Sequence, residues 1–392
     1  MAVALGAVMK HGIKIGMVDI NESEADFSPN PEANSISYGL RPLSGVGAKL
    51  IDRIQEEKPF SSLEDFIDRI EPTKAEMLNL IKAGAFMKID NLDRRVTMAK
   101  YAKTRTATRK NLSISQLPLV VKAGLLPEEL ESAYQVYEFN RYVKEVLRKS
   151  GQVIILDERA QRFLASNGYD ELIEVFNDWT VISSSVWTKT YDKAMNPVRA
   201  YFKANKESIL KDIFIEEVIE TFKENGGLGT YEKWEMDSMN FYYTGHELAN
   251  VDFNRYGISN YSKLPREPIA ENPYAKFSKN VLSIVIGTVI SKNKTQGELH
   301  LLTPEGRVVL IKMYKGDFSY WDKQVSRQNG SKKEVIEKSF FERGNKVMFT
   351  GFRRGDQFVP KVYSSTPTPM VALITDVSDK GEIAIKADRE SI

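Results

Sequence analysis

The chain has 392 residues, 42% of them hydrophobic and 28% charged, with 55 Lys and Arg against 53 Asp and Glu, a formal net charge of +2. That is a globular composition, long enough for roughly two to four domains, and its near balance excludes a strong overall field, so any contact with a polyanion must use local basic patches. The absence of cysteine excludes disulfides and thiolate metal sites and points to a reducing compartment. The histidines, His11, His246 and His300, are too dispersed in sequence for a histidine metal cluster. The most apolar run, Val281 to Ile290, is interrupted by Ser283, Gly287 and Thr288 and is too short to span a bilayer. No signal peptide is read at the amino terminus, and a cytoplasmic protein is expected.

In chain order, Ala2 to His11 reads as the end of a helix closed by Gly12. Ile13 to Phe27 reads as short and extended, with turn signals at Asn21 and Ser28-Pro29-Asn30. Ile36 to Phe66 centres on Gly45-Val46-Gly47, and Leu40, Leu43, Val46, Leu50, Ile51 and Ile54 supply apolar faces to either side. This pattern predicts a helix-hairpin-helix. Two glycines free to take positive φ let the backbone press close to another molecule. The following helix would aim its unpaired N–H groups and dipole at the turn, which suits a phosphate. Ser44, Gly45, Val46, Gly47, Ala48 and Lys49 are therefore the candidates for gripping a nucleic-acid backbone without reading bases. A plain Gly-rich turn between packed helices is the alternative.

A second, degenerate hairpin is predicted where the face Met77, Leu78, Leu80 and Ile81 runs into Lys82-Ala83-Gly84-Ala85-Phe86. Lys82, Gly84 and Ala85 join the duplex-binding candidates. Lys88 to Lys110 holds eight basic and two acidic side chains. Arg94, Arg95, Lys100 and Lys103 in that run are read either as facing a phosphate backbone or as a solvated helix face. Thr104 to Ser115 reads as a linker. Pro127 to Lys149 is strongly helical, Gln152 to Ile155 a strand, and residues 158–229 alternate helix with strand. Trp187, Tyr191, Tyr201 and Phe202 lie among lysines and Arg199, a pattern shared by single-strand binders and by ordinary cores. Tyr231 to Thr244 is a further helix.

From about Ser278 the pattern turns to β. Strands are predicted at Val281–Val289, Leu299–Thr303, Arg307–Tyr314, Lys346–Gly351 and Gln357–Tyr363, with a helical excursion over Gly316–Phe341. Five strands with an excursion between the third and fourth fit an OB-type barrel. Lys292, Lys294, Lys312, Tyr314, Phe318, Tyr320, Trp321, Arg353 and Arg354 are its candidates for single-stranded DNA. A docking module is the alternative. A tail from Thr366 adds an unplaced strand pair. The expected fold class is α+β and multidomain: a tandem helix-hairpin-helix domain, an α/β middle region and an OB-fold barrel.

The order of these pieces resembles the carboxy-terminal half of the bacterial replicative DNA polymerase III alpha subunit, of the C-family polymerases. Val18-Asp19-Ile20-Asn21-Glu22-Ser23, the block Ile36–Phe66, Leu80–Phe86 and Glu232–His246 are similar to four motifs of that family in the same order. Met87 departs from its usual Asp and Glu247 from its proline. The resemblance covers roughly residues 1–120 and 230–363 and leaves residues 150–228 unmatched. It implies an end-of-fingers segment (1–30), a tandem helix-hairpin-helix domain holding duplex DNA (31–115), a clamp-peptide and helical linker (116–150), a middle region of unknown role (151–250), an OB-fold near the single-stranded template (275–365) and a tail (366–392). It also implies a sliding-clamp peptide at Ser115–Val120, with Gln116, Leu117, Leu119 and Val120 as contacts; Val120 stands where phenylalanine is common.

The catalytic palm, with its Mg and dNTP, belongs to a region that precedes residue 1 in such polymerases. Acidic pairs such as Asp157-Glu158 and Glu216-Glu217 sit on ordinary helical or loop patterns, so neither a catalytic residue nor a metal site is expected. The function implied is the non-catalytic part of a split replicative polymerase in a bacterial cell, a phage-infected one included. It would bind primer-template duplex, single-stranded template, a sliding clamp and a palm-bearing partner chain. A stand-alone DNA-binding accessory or regulatory protein derived from such a polymerase is the alternative.

Overall fold

The computed structural model describes Leu5, Val8 and residues 11–275, 278–329 and 332–390; the helix expected over Ala2–His11 lies largely outside them. The chain divides into two compact units, Met1–Met98 with Leu228–Ile392, and Ala99–Gly227.

The first unit opens with β1 (Lys14–Gly16), β2 (Ser28–Asn30) and β3 (Ser35–Ser37), a small sheet in the order β1-β3-β2 with β1 parallel and β2 antiparallel to β3. Three helices follow: α1 (Ala48–Glu57), α2 (Leu63–Ile70) and α3 (Lys74–Lys82). Each buries the positions that its period puts on one face: Leu50, Ile51 and Ile54; Leu63, Phe66 and Ile70; Met77, Leu80 and Ile81. Ser62 caps α2, and Thr73 with Glu76 forms a capping box on α3. Phe66 meets Phe60 and Phe86 edge-on, each at 5.0 Å between centroids. The Asp19–Ser23 motif is a structural staple. Asp19 Oδ1 accepts from the N–H groups of Asn21 and Glu22, the Ser23 hydroxyl donates to the Tyr38 carbonyl, and the Asn21 amide both accepts from and donates to the backbone of Phe60.

The chain passes between the units within α4 (Arg94–Arg105). The second unit contains α5 (Leu117–Lys122), α6 (Glu131–Glu145), β4 (Lys149–Ser150), β5 (Val153–Ile155), α7 (Glu158–Ser166), β6 (Glu174–Phe176), β7 (Trp179–Ser183), α8 (Ser184–Ala204) and α9 (Lys206–Glu224). Its strands form an antiparallel sheet in the order β4-β5-β7-β6. The core joins Leu117, Val120, Phe139, Ile154, Ile182, Trp187 and Phe202. Trp187 and Phe202 thus belong to packing, and the Trp187 indole donates to Asn140 Oδ1 at 3.0 Å.

Returning to the first unit, α10 (Tyr231–Met239) precedes a closed barrel of β8 (Ser283–Asn293), β9 (Glu298–Leu302), β10 (Val308–Lys312), β13 (Lys346–Arg354) and β14 (Gln357–Pro360). The closed order is β8-β9-β10-β14-β13, with β10 and β14 parallel and the other neighbours antiparallel. β15 (Val371–Val377) and β16 (Ile383–Lys386) extend the sheet from β13 and account for the tail. The segment expected as a helical excursion is helical only in α11 (Lys315–Asp322). After that comes a hairpin, β11 (Val325–Asn329) with β12 (Lys332–Glu337). β-branched Val325, Val335 and Ile336, set among polar residues, override a helix there.

Candidate functional site

The first hairpin is built on one side only. Residues 38–44, directly before Gly45, are turns and irregular chain rather than helix. The Leu43 N–H donates to Leu40 O, the Ser44 N–H turns away to Ser238 O at 2.7 Å, and Pro42 has no donor. The expected helix on this side is therefore replaced by turns tied to α10. Gly45 holds φ +69°, and a Cβ there would meet Asn79 Nδ2 at 2.8 Å. Gly47, expected to share that role, has an ordinary φ of −83° and open space around it. After it α1 starts with no side-chain cap and no acid in its first turn. Gly45, Gly47, Ala48 and Lys49 are exposed, while Val46 and Leu50 anchor the loop in the core. The result is an open, positive helix end, equivalent to roughly half a charge, with Lys49 in its first turn.

Three residues that sequence reasoning missed hold this loop in place: Ser238, Met239 and Asn240, at the end of α10. Ser238 O takes the Ser44 N–H, Met239 O takes the Tyr38 hydroxyl, and Asn240 meets the Ser44 hydroxyl. Burial raises the Tyr38 pKa and keeps that hydroxyl a donor. The available signal was the Glu232–His246 motif, whose positioning role becomes visible only in three dimensions.

In the second hairpin the backbone is bonded internally. Gly84 (φ +85°) and Ala85 are buried. The Gly84 N–H donates to Ile81 O and the Ala85 N–H to Leu80 O, the paired bonds that close a helix C-terminus. Their amides are used, and Lys82 lies 3.7 Å from Asp237. Asp93 accepts from the Arg95 and Val96 N–H groups, which hold its carboxyl below its usual pKa, so the start of α4 already carries an anion. Arg94 is also withdrawn from the duplex set: it is buried against Glu235 and lies over the Tyr231 ring. Arg95 and Lys103 remain exposed, and Lys100 is half-buried.

On the barrel, α11 turns Phe318 and Trp321, three residues apart, into the core, where neither can stack on a base. Arg353 is buried over Tyr261 and donates to Gly355 O and Leu264 O. Tyr314, Tyr320 and Arg354 stay exposed. Lys292 and Lys294 converge on Asp322, and Lys312 pairs with Glu298 at 2.8 Å. Burial alone would raise the Asp322 pKa, but Lys292, Lys294 and Ser339 outweigh it and hold the carboxyl low.

The expected clamp peptide is not presented. Leu117 and Val120 lie in the second unit's core on α5, Leu119 packs beside it, and Gln116 Oε1 accepts from the Ser113 N–H and hydroxyl.

His246 fastens the end of the α10 motif to the barrel. Its Nε2–H donates to Leu302 O and its Nδ1 accepts from the Leu248 N–H, both at 3.0 Å. Burial pushes its pKa down to about 4. Beside it the Tyr242 hydroxyl bonds Glu247 and Thr288, and Lys346 pairs with Glu247. Among the described residues, no group of three or more His, Asp or Glu side chains could hold a metal ion, and no helix is long and apolar enough to cross a membrane.

Residues 12–97, which contain the open helix end, match the helix-hairpin-helix motif family. The whole chain is 33% identical over 409 aligned residues to a probable DNA polymerase, YorL, of Bacillus subtilis (strain 168), and equally to a DNA-directed DNA polymerase of Bacillus phage SPbeta. The match takes in all of this chain and 31% of each relative, so the chain spans about a third of their length. The chain is therefore related in sequence to DNA polymerases and carries a helix-hairpin-helix motif.

Proposed function

We propose that this chain is the DNA-holding, non-catalytic part of a replicative polymerase of the C family. The observation that carries the reading is the exposed, uncapped start of α1 at Gly45–Lys49, inside the helix-hairpin-helix match. Its free N–H groups and Lys49 would grip a duplex phosphate with no base readout. The barrel order, with β10 and β14 parallel and α11 between β10 and β13, supports an OB-type assignment. Tyr314, Tyr320 and Arg354 are the groups left to meet a single strand. The reading includes a palm-bearing partner chain supplying Mg and dNTP chemistry, and a sliding clamp whose contact lies elsewhere than Gln116–Val120.

The test is Ala48→Glu, read by titrating labelled duplex at several salt concentrations. An acid in the first turn steadies a helix by about 0.3–1 kcal/mol but repels a phosphate. Duplex affinity should fall about tenfold at moderate salt, with unchanged or raised stability. Unchanged affinity would overturn the assignment.

A further inference from the structure

In the second unit, β6 and β7 are joined by Asn177 and Asp178 at φ 49° and 64°, a two-residue turn whose twist matches that of the strands. The register sets Phe176 opposite Trp179 and Val175 opposite Thr180, so both rings share one face and Val175 lies on the other. Val175, Phe176 and Trp179 are 79%, 57% and 56% exposed, whereas Trp187, Trp234 and Trp321 are buried. All of β6 is exposed, and β6 is an edge of its sheet, so its outer backbone groups are open too. An apolar tip held by a tight turn loses little conformational freedom when covered.

Charge selects what covers it. Asp170, Glu171, Glu174 and Asp178 are all exposed, and residues 169–183 contain no Lys or Arg. A nucleic-acid backbone would be repelled, and so would the same face of a second copy. A polypeptide with cations beside apolar residues fits. We propose that the β6–β7 hairpin docks a partner protein through an extended basic segment with alternating apolar side chains. That segment would pair along β6 and set its apolar side chains on the face of Phe176 and Trp179, with its cations on the face of Val175. The short edge offers few ladder bonds, so the apolar tip and the acidic rim must supply most of the affinity.

The test titrates a short synthetic peptide of alternating Lys and Val into the full chain and follows tryptophan emission, in which Trp179 is the exposed reporter. Saturable binding with a blue shift is expected. Val175→Ser with Phe176→Ser should weaken it about tenfold. Glu174→Gln with Asp178→Asn, which keeps the turn chemistry, should weaken it at low salt. A Glu-Val peptide should not bind. No saturable binding below about 1 mM, undiminished binding in both variants with unchanged circular dichroism, or equal binding of the Glu-Val peptide would each overturn the proposal.

Discussion

Arg94 and Glu235, 141 positions apart in the chain, form a buried ion pair: Nη2 lies 2.8 Å from Oε1, with side chains 5% and 0% exposed. Glu235 also accepts from the Tyr243 and Thr244 N–H groups and the Thr244 hydroxyl, so its carboxylate is well provided with donors. A buried charge stripped of its partner is costly. Arg94→Met or Glu235→Leu alone should lower the unfolding free energy by about 3–5 kcal/mol, measured by denaturant titration. The double variant should lose less than the sum. A cost below about 1 kcal/mol for either single variant would show the pair to be idle.

The two glycines of the first hairpin should behave differently. Gly45→Ala places a Cβ at positive φ and against Asn79, and should cost about 1 kcal/mol or more. Gly47→Ala meets open space at ordinary φ and should stay within about 0.5 kcal/mol. Equal melting temperatures for the two variants would contradict this asymmetry.

Two pairs of barrel aromatics should also separate. Phe318→Ala or Trp321→Ala empties core volume and should destabilise by about 3–5 kcal/mol. Tyr314→Ser and Tyr320→Ser, at exposed positions, should leave stability within about 0.5 kcal/mol. If they form the proposed strand contact, each should weaken oligothymidine binding by about 1–3 kcal/mol, read by fluorescence anisotropy. Unchanged binding in both tyrosine variants would remove that face from the single-strand reading.

His246 makes stability depend on acid. Its folded pKa of about 4 lies below the ordinary 6.5, so the unfolded chain binds the proton more readily between those values. Above about pH 6.5 the group costs nothing. Stability then falls as pH drops toward 4, by about 3 kcal/mol at most, and levels off below. Subtracting the profile of His246→Gln removes the contribution of the carboxylates. The difference between wild type and variant should shrink on acidification through this window, and a flat difference would contradict the burial argument.

Much of this was legible in the sequence. The spacing of Leu50, Ile51 and Ile54, and the β-rich run from Ser278, locate α1 and the barrel strands because period and turn chemistry are local. Side-chain direction was not. Phe318 and Trp321 share the composition of a stacking platform, and only the register of α11 on the barrel sends them inward while Tyr320 faces out. Gly84-Ala85 has the letters of a hairpin, but its amides close the preceding helix, and that choice depends on where the chain goes next. Gln116–Val120 has the spacing of a linear peptide motif and yet supplies core to the second unit. The supports of Gly45, at the end of α10, could not be read because the partners lie nearly two hundred positions apart (196 for Ser44 and Asn240).

One hydrogen bond has a practical reach. The Arg95 guanidinium donates to Gly229 O at 3.1 Å, so the points where the first unit lets the chain go and takes it back lie within one arginine's length of each other. Residues 99–227 are thus an insertion in the chain of the first unit. Were they cut out, a few glycines and serines would suffice to bridge the ends that the first unit presents, and a foreign domain could be spliced in at the same doorway.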